Sequence, residues 1–374
     1  MRTICCLLTA TLTVWCSASA HAADGKPLQV FFLTQSAGFQ HSVVKRPAQD
    51  KLSLAEEMVT AIGKESGVFE TRCSKDATLI TPELLKNTDV MMFYSTGSIL
   101  GKNEPVTAKT PETEWVAAKE TLGITKDNWD AFDAWLKSGK AMVGIHSASD
   151  TGANFTPYQQ LINGSFAGHP WGSGTTVTFT NHEPTHPTMS MWDPEFTIKE
   201  EIYQYKGYEP KSVRVLMSIN MEKTELKRPR MIPVAWVRDY GAGRLFYTNL
   251  GHNESTWNDT RFKKHLLEGV KWATKITDGP ATPNPELQTK LEKEARAVGF
   301  IAGVKQLAAL SGKDEAALLA AWTKKATGDD GKADKMYAAV EAQLGSKEKD
   351  KDKRKADAEK VANDILAVNV EAAP

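Results

Sequence analysis

Cysteine is nearly absent from this 374-residue chain: there are four, and Cys5, Cys6 and Cys16 sit near the N-terminus. That stretch reads as a secretory leader, residues 1–22, with a basic start at Arg2, an apolar run from Ile4 to Trp15 and the cleavage signal Ala20-His21-Ala22. The apolar run is shorter than the ~20 residues a membrane span needs, and Trp15 before Cys16 disfavours lipidation. Cleavage would leave Cys73 alone, which excludes an internal disulfide and any cysteine-based zinc site. Net charge is also missing, with 46 basic and 46 acidic residues, so nothing draws the chain to nucleic acid or an anionic surface. An exported protein, periplasmic or secreted, that folds without disulfides is expected to rely on a large core.

Alternating apolar and amphipathic segments fill the next part of the chain. Leu28–Leu33, Val68–Arg72, Asp89–Tyr94 and Ala141–Ile145 read as buried strands. Helices are expected from Pro47 to Gly63, from Thr81-Pro82-Glu83 onward, and from Lys126 to Ser138, where Gly139 ends the last. Gly101 to Gly123 is polar and reads as an insertion loop. Further on, Thr156-Pro157 opens a short helix, and Thr175–Phe179 and Val213–Ile219 read as strands. Ile232–Val237 and Arg244–Tyr247 flank a hairpin turn, and Asn258 or Asp259 caps a closing helix. This order predicts a three-layer α/β sandwich with a mainly parallel sheet, spanning residues 23–276. Residues 277–284 read as a linker, and 285–374 as a helical, Lys- and Ala-rich extension whose mixed-charge run Lys347–Lys355 is a solvated surface or disordered.

Histidine marks the ends of these strands. His41, His146, His169, His186 and His252 each stand where a β-run meets a glycine or proline turn. Loops at the carboxyl ends of parallel strands gather into one crevice, so these residues point to one polar site; His265, inside the closing helix, is expected to be packed or half-exposed rather than part of it. Glu201 and Tyr203 share one face of an extended segment, and a carboxylate beside a phenol suits proton exchange with hydroxyl groups. Trp171 and Trp257, in Gly- and Asn-rich loops, are the aromatic candidates for stacking on a sugar, whereas Trp236 reads as core. His41, His146, His169 and His252 could, with Glu201, hold a divalent metal. No closely spaced histidine pair preassembles such a centre, so spacing neither supports nor excludes it.

Gly38-x-x-His41, Gly144-Ile-His146-Ser-Ala, Gly164-x-Phe166-x-Gly168-His169-Pro170, His186-Pro187, Glu200-Glu201-Ile-Tyr203, Pro233-Val-Ala-Trp236 and Tyr240-Gly-x-Gly243-Arg244 through Gly251-His252 occur in this order. Together, over roughly Pro27 to Thr274, they resemble the trehalose-utilisation (ThuA-like) family. Asn163 and the Glu200-Glu201 pair depart mildly from the pattern. The resemblance implies a class I glutamine amidotransferase-like (flavodoxin-like) fold. In amidotransferases a cysteine occupies the sharp turn after a central strand; here the tip is His146, so glutamine hydrolysis through a thioester is excluded. The resemblance implies a carbohydrate substrate, a disaccharide or 3-keto-glycoside. His146, His169, Glu201, Tyr203, His41 and His252 would carry acid–base chemistry leading to isomerisation or elimination, and Trp171, Trp257, His186 and Glu200 would contact substrate. Two alternatives stand beside it: a metal-dependent hydrolase, and a non-catalytic sugar-binding scaffold that docks a partner protein through the C-terminal helices.

Overall fold

In the computed structural model, residues 25–97, 123–152, 155–326 and 348–367 are described, with a few more between 335 and 346. The leader, nearly all of the 101–123 insertion and residues 153–154 lie outside them.

Nine strands form one sheet: β1 (Leu28–Leu33), β2 (Phe69–Ser74), β3 (Val90–Phe93), β4 (Ala141–Ile145), β6 (Thr176–Asn181), β7 (Glu195–Lys199), β9 (Arg214–Ile219), β10 (Pro233–Tyr240) and β11 (Gly243–Thr248). Their order is β2-β1-β3-β4-β11-β10-β9-β6-β7, and a separate pair joins β5 (Ser165–Phe166) to β8 (Tyr205–Lys206). The first five strands of that order run parallel; the rest extend the sheet antiparallel. Parallel strands buried on both faces read as unbroken apolar runs, and β3 and β4 are buried at every position.

Helices cover both faces. Helix α1 (Leu54–Ser66) begins seven residues after the expected Pro47, because Ser53 and Glu56 form a reciprocal capping box that fixes its start. The short α2 (Pro82–Lys86), α3 (Lys126–Lys137) and α6 (Thr260–Ala273), the last following the one-turn α5 (Glu254–Asn258), are capped by Thr81, Thr125 and Asp259. Val59, Ile62, Phe262 and Leu266 pack with Val30, Phe32 and Val143 on one face. Phe132, Leu136, Tyr158 and Leu161 pack with Phe31, Met91 and Met142 on the other. The closing hairpin, the short helix α4 (Thr156–Ile162) and the buried positions of Trp236 and His265 agree with the sequence reading. Strand β7 and the β5–β8 pair were not anticipated.

The segment read as a linker lies against the α/β domain. Trp272 Nε1 donates to Gly279 O, and Ala281 is buried in the main core. The Asn284 side chain accepts from Val215 N and donates to Val215 O, at 2.9 Å each, satisfying the β9 backbone as a neighbouring strand does. Helix α7 (Pro285–Ser311) follows, and Gln288 Nε2 donates to Pro210 O and Val213 O. Its second half joins a separate apolar cluster with Leu318, Val340, Ala358, Ala362 and Ile365. Among the described residues no helix is long and apolar enough to cross a membrane.

Candidate functional site

The carboxyl ends of β1, β3, β4 and β11 open on one side, and their loops bring His41, Tyr94, His146 and His252 together. At the centre, β4 runs straight into a 3-10 turn over His146–Asp150. His146 takes a left-handed backbone, φ 44°, a conformation that costs an L-residue roughly 1–2 kcal/mol. The turn fits because Gly144 leaves room: a Cβ there would lie 2.8 Å from Ile162 and 2.9 Å from Tyr247. The same strand-to-tight-turn device thrusts a nucleophile outward in other α/β enzymes; here it presents an imidazole.

His146 Nδ1 lies 2.7 Å from Asn249 O. A carbonyl only accepts, so Nδ1 carries a proton, and in the neutral ring Nε2 keeps its lone pair. That buried Nε2 has no hydrogen-bond partner among the described residues, and it lies 3.6 Å from Glu201 Oε1. Glu201 Oε2 lies 3.3 Å from His169 Nδ1 and 3.7 Å from His252 Nε2. His41 Nε2 lies 3.1 Å from the Tyr203 hydroxyl. The rings of His41, His146 and His252 stand in a near-equilateral triangle, with centroids 5.0, 5.2 and 5.3 Å apart.

Electrostatics sort these groups. Burial, then the neighbouring imidazoles of His146, His252 and His169, pushes His41 down to about 2. Burial, reinforced by His146, pushes His252 down to about 4. Both are therefore neutral at neutral pH. Burial acts to raise Glu201, but His146, His252 and His169 outweigh it and hold the carboxyl below its usual range. Burial, then the Glu201 charge, pushes the Tyr203 phenol well above its usual value, so it stays a proton donor. Asp150, at the end of the 3-10 turn, is raised by burial to about 6 against the pull of His146.

The strand-end histidines do not all converge. His41, His146, His169 and His252 meet at Glu201, with Tyr203 beside them. His186 stands apart: its Nδ1 accepts from Thr188 N and pairs with the Thr188 hydroxyl, fixing the turn before Pro187. Glu200 is fully buried and faces protein, not solvent; it accepts from Gly251 N, Asn253 N and the Thr256 hydroxyl. It thereby shapes the loop that carries His252, and burial raises its pKa against those bonds and the neighbouring His146.

Two aromatic assignments need correction. Trp171 and Trp257, expected to offer a face to a sugar, are both 0% exposed. Trp171 Nε1 donates to Glu225 O and Trp257 Nε1 to Gly251 O; loop composition gave them away as exposed, whereas their indole bodies fill the core. The rings near the mouth are Phe39, 65% exposed and edge-on to His41 at 4.9 Å, and Phe166, edge-on to Tyr203 at 4.5 Å. Asn249 was also missed. Besides accepting from His146, it accepts from Tyr203 N and donates to Tyr203 O and the Tyr205 hydroxyl. The only signal in the sequence was a polar residue between a buried strand and Gly251-His252.

Several solved structures resemble this fold. A ThuA-like protein from Bacteroides uniformis is 18% identical, with 70% of this chain and 96% of that chain covered at a TM-score of 0.46. A ThuA-like protein from Parabacteroides merdae is 14% identical, covering 70% and 99% at 0.48. A glutamine amidotransferase from Thermotoga maritima is 12% identical, covering 72% and 93% at 0.31. No curated protein sequence matches the chain. The sequence profile described as trehalose utilisation spans residues 29–273, which takes in the whole crevice and every histidine in it, and the chain belongs to this ThuA family.

Proposed function

We propose that this chain is an exported carbohydrate-processing enzyme that moves protons on its substrate at the Glu201–His169 pair. The observation that carries the reading is the position of Glu201, whose two oxygens face a buried imidazole on one side and a half-exposed one on the other. His41 and His252 are held neutral, while the His169 side chain is 53% exposed and meets water. A carboxylate beside such a ring orients it, so a proton can pass between substrate and solvent. Tyr203, kept protonated, can donate to a carbonyl or hydroxyl oxygen of the substrate.

The family's link to trehalose directs the substrate class to a disaccharide or its 3-keto form. A ketone acidifies the neighbouring C–H. His169 would take that proton while Tyr203 donates a hydrogen bond to the enolate oxygen; return of the proton to the former carbonyl carbon, with the neighbouring hydroxyl proton passing to the enolate oxygen, gives isomerisation, and loss of a β-oxygen substituent, which leaves with the proton held by His169, gives elimination. Phe39 and Phe166 would supply the apolar faces that Trp171 and Trp257 cannot. Deuterium incorporation into a 3-keto-glycoside in heavy water tests the reading. Wild-type protein should exchange the C–H beside the ketone, with His169→Ala and Glu201→Gln at least ~100-fold slower. A wild-type rate no faster than buffer, over a panel of 3-keto-disaccharides, removes it.

A further inference from the structure

The buried part of the crevice holds more nitrogen and oxygen than proton transfer at its mouth requires. One donor atom each from His41, His146, Glu201 and His252 lies within 4.8 Å of the others, the group among the described residues that converges this way. His169 is not in it.

The spacings discriminate between two explanations. Hydrogen bonds would bring nitrogen and carboxylate oxygen to 2.7–3.2 Å, yet His146 Nε2 and His252 Nε2 stand 3.6 and 3.7 Å from Glu201. The two distances run to different carboxylate oxygens, Oε1 for His146 and Oε2 for His252, and each is near the ~3.4 Å that separates two donors sharing one ion at ~2.1 Å. The His146 tautomer points the same way. With its Nδ1 proton committed to Asn249 O, a neutral His146 turns the Nε2 lone pair toward Glu201 Oε1, and a cation between the two, a proton or a metal ion, relieves their repulsion. The backbone carbonyl behind His146 is also the outer partner that orients a metal-bound imidazole and sets its tautomer. His41 Nδ1 is likewise buried and unpartnered. Closing all four donors onto one ion needs shifts of roughly 1 Å each.

We propose that His41, His146, His252 and Glu201 form a binding site for one divalent first-row transition metal. Three imidazoles and a carboxylate, with no thiolate, suit Zn²⁺ and its neighbours rather than Ca²⁺ or Mg²⁺, which favour all-oxygen shells. The ion would act as a Lewis acid on a substrate oxygen beside the Glu201–His169 pair, and the inference rests on the acid–base reading only for that role.

Binding is measured without substrate, so the two ideas can fail separately. The full chain, stripped with chelator and dialysed, is titrated with Zn²⁺ alone by calorimetry, and Co²⁺ is added in parallel for its visible d–d bands. One equivalent of Zn²⁺ should bind, with tetrahedral-type Co²⁺ absorption. Glu201→Gln and His252→Ala should each weaken binding at least ~100-fold, while His182→Ala, a histidine outside the crevice, leaves it within threefold. Thermal melts with and without Zn²⁺ guard against misfolded variants: the ion should raise the wild-type midpoint, and variants that melt normally without metal should lose that rise. Wild-type protein that takes up no stoichiometric Zn²⁺ or Co²⁺, or binding equally strong in folded Glu201→Gln and His252→Ala, overturns the proposal.

Discussion

Tyr203 and Asn249 grip each other across the crevice: Tyr203 N donates to Asn249 Oδ1 at 3.2 Å, and Asn249 Nδ2 donates to Tyr203 O at 3.1 Å. The exchange resembles one rung of a sheet, and it sits in irregular backbone between β11 and the segment leading to β8. Because Asn249 O also receives the His146 proton, one residue sets the position of Tyr203 and the tautomer of His146. Replacing Asn249 by Ala strands a buried N–H and C=O of Tyr203, which costs about 2–4 kcal/mol. The carbonyl of residue 249 remains, so His146 keeps an acceptor whose position is no longer fixed. Asn249→Ala should therefore show a lower midpoint in urea and a disproportionate loss of turnover relative to a surface substitution; an unchanged midpoint would mean the exchange contributes nothing.

The left-handed backbone at His146 makes a sharper test of local strain. Glycine relieves the conformation and alanine does not. His146→Gly should melt above His146→Ala by up to about 1 kcal/mol, despite glycine's greater freedom in the unfolded chain. Differential scanning calorimetry on both variants decides it, and a more stable alanine variant would show that the turn is not strained.

Stability should fall on mild acidification. His265, His186 and His182 are pushed by burial to about 4 in the folded protein. In the unfolded chain each would titrate near 6.5. Between those values the unfolded state binds more protons, so stability is full above about 6.5 and drains as pH falls towards 4. His265, with Nδ1 donating to Thr188 O at 2.6 Å and no exposure, accounts for on the order of 3 kcal/mol of that loss. Urea midpoints recorded from pH 7.5 to 4 should decline through this window, and His265→Gln should flatten the decline; a flat profile above pH 5 contradicts it.

Phe39 separates substrate binding from folding. At 65% exposure it contributes little to the core, while its ring borders His41. Phe39→Ala should leave the thermal midpoint within about 1 kcal/mol of wild type and raise KM for a glycoside several-fold with kcat nearly unchanged. Trp257→Ala should do the reverse, costing about 3–5 kcal/mol of stability through the cavity it leaves.

The parallel half of the sheet was legible because buried parallel strands are written as apolar runs, and the histidines at their ends were legible because Gly and Pro mark the turns. Helix α1 started late because the Ser53–Glu56 box outweighs the apolar spacing upstream, and that box was readable in Ser53-Leu-Ala-Glu56. Strand β7 alternates exposed and buried positions over Glu195–Lys199, too short and polar to stand out. The β5–β8 pair, two residues on each side, has no period to detect. The division of labour inside Glu200-Glu201 was hidden for another reason. Adjacent residues point opposite ways, and only tertiary contacts decide which carboxylate holds the His252 loop and which faces the imidazoles.

The clip of Asn284 onto Val215 has a consequence for where this protein ends as a physical object. Strand β6 pairs with β9 only over Met217 to Ile219, so the edge of β9 beyond it is finished by a side chain that lies past the last residue of the family match. Relatives that lack this extension must seal that edge with a residue of their own or leave it to water. The family match and the finished sheet thus have different borders on the same chain: the match stops at Ala273, but the edge of β9 is completed by Asn284, at the start of α7.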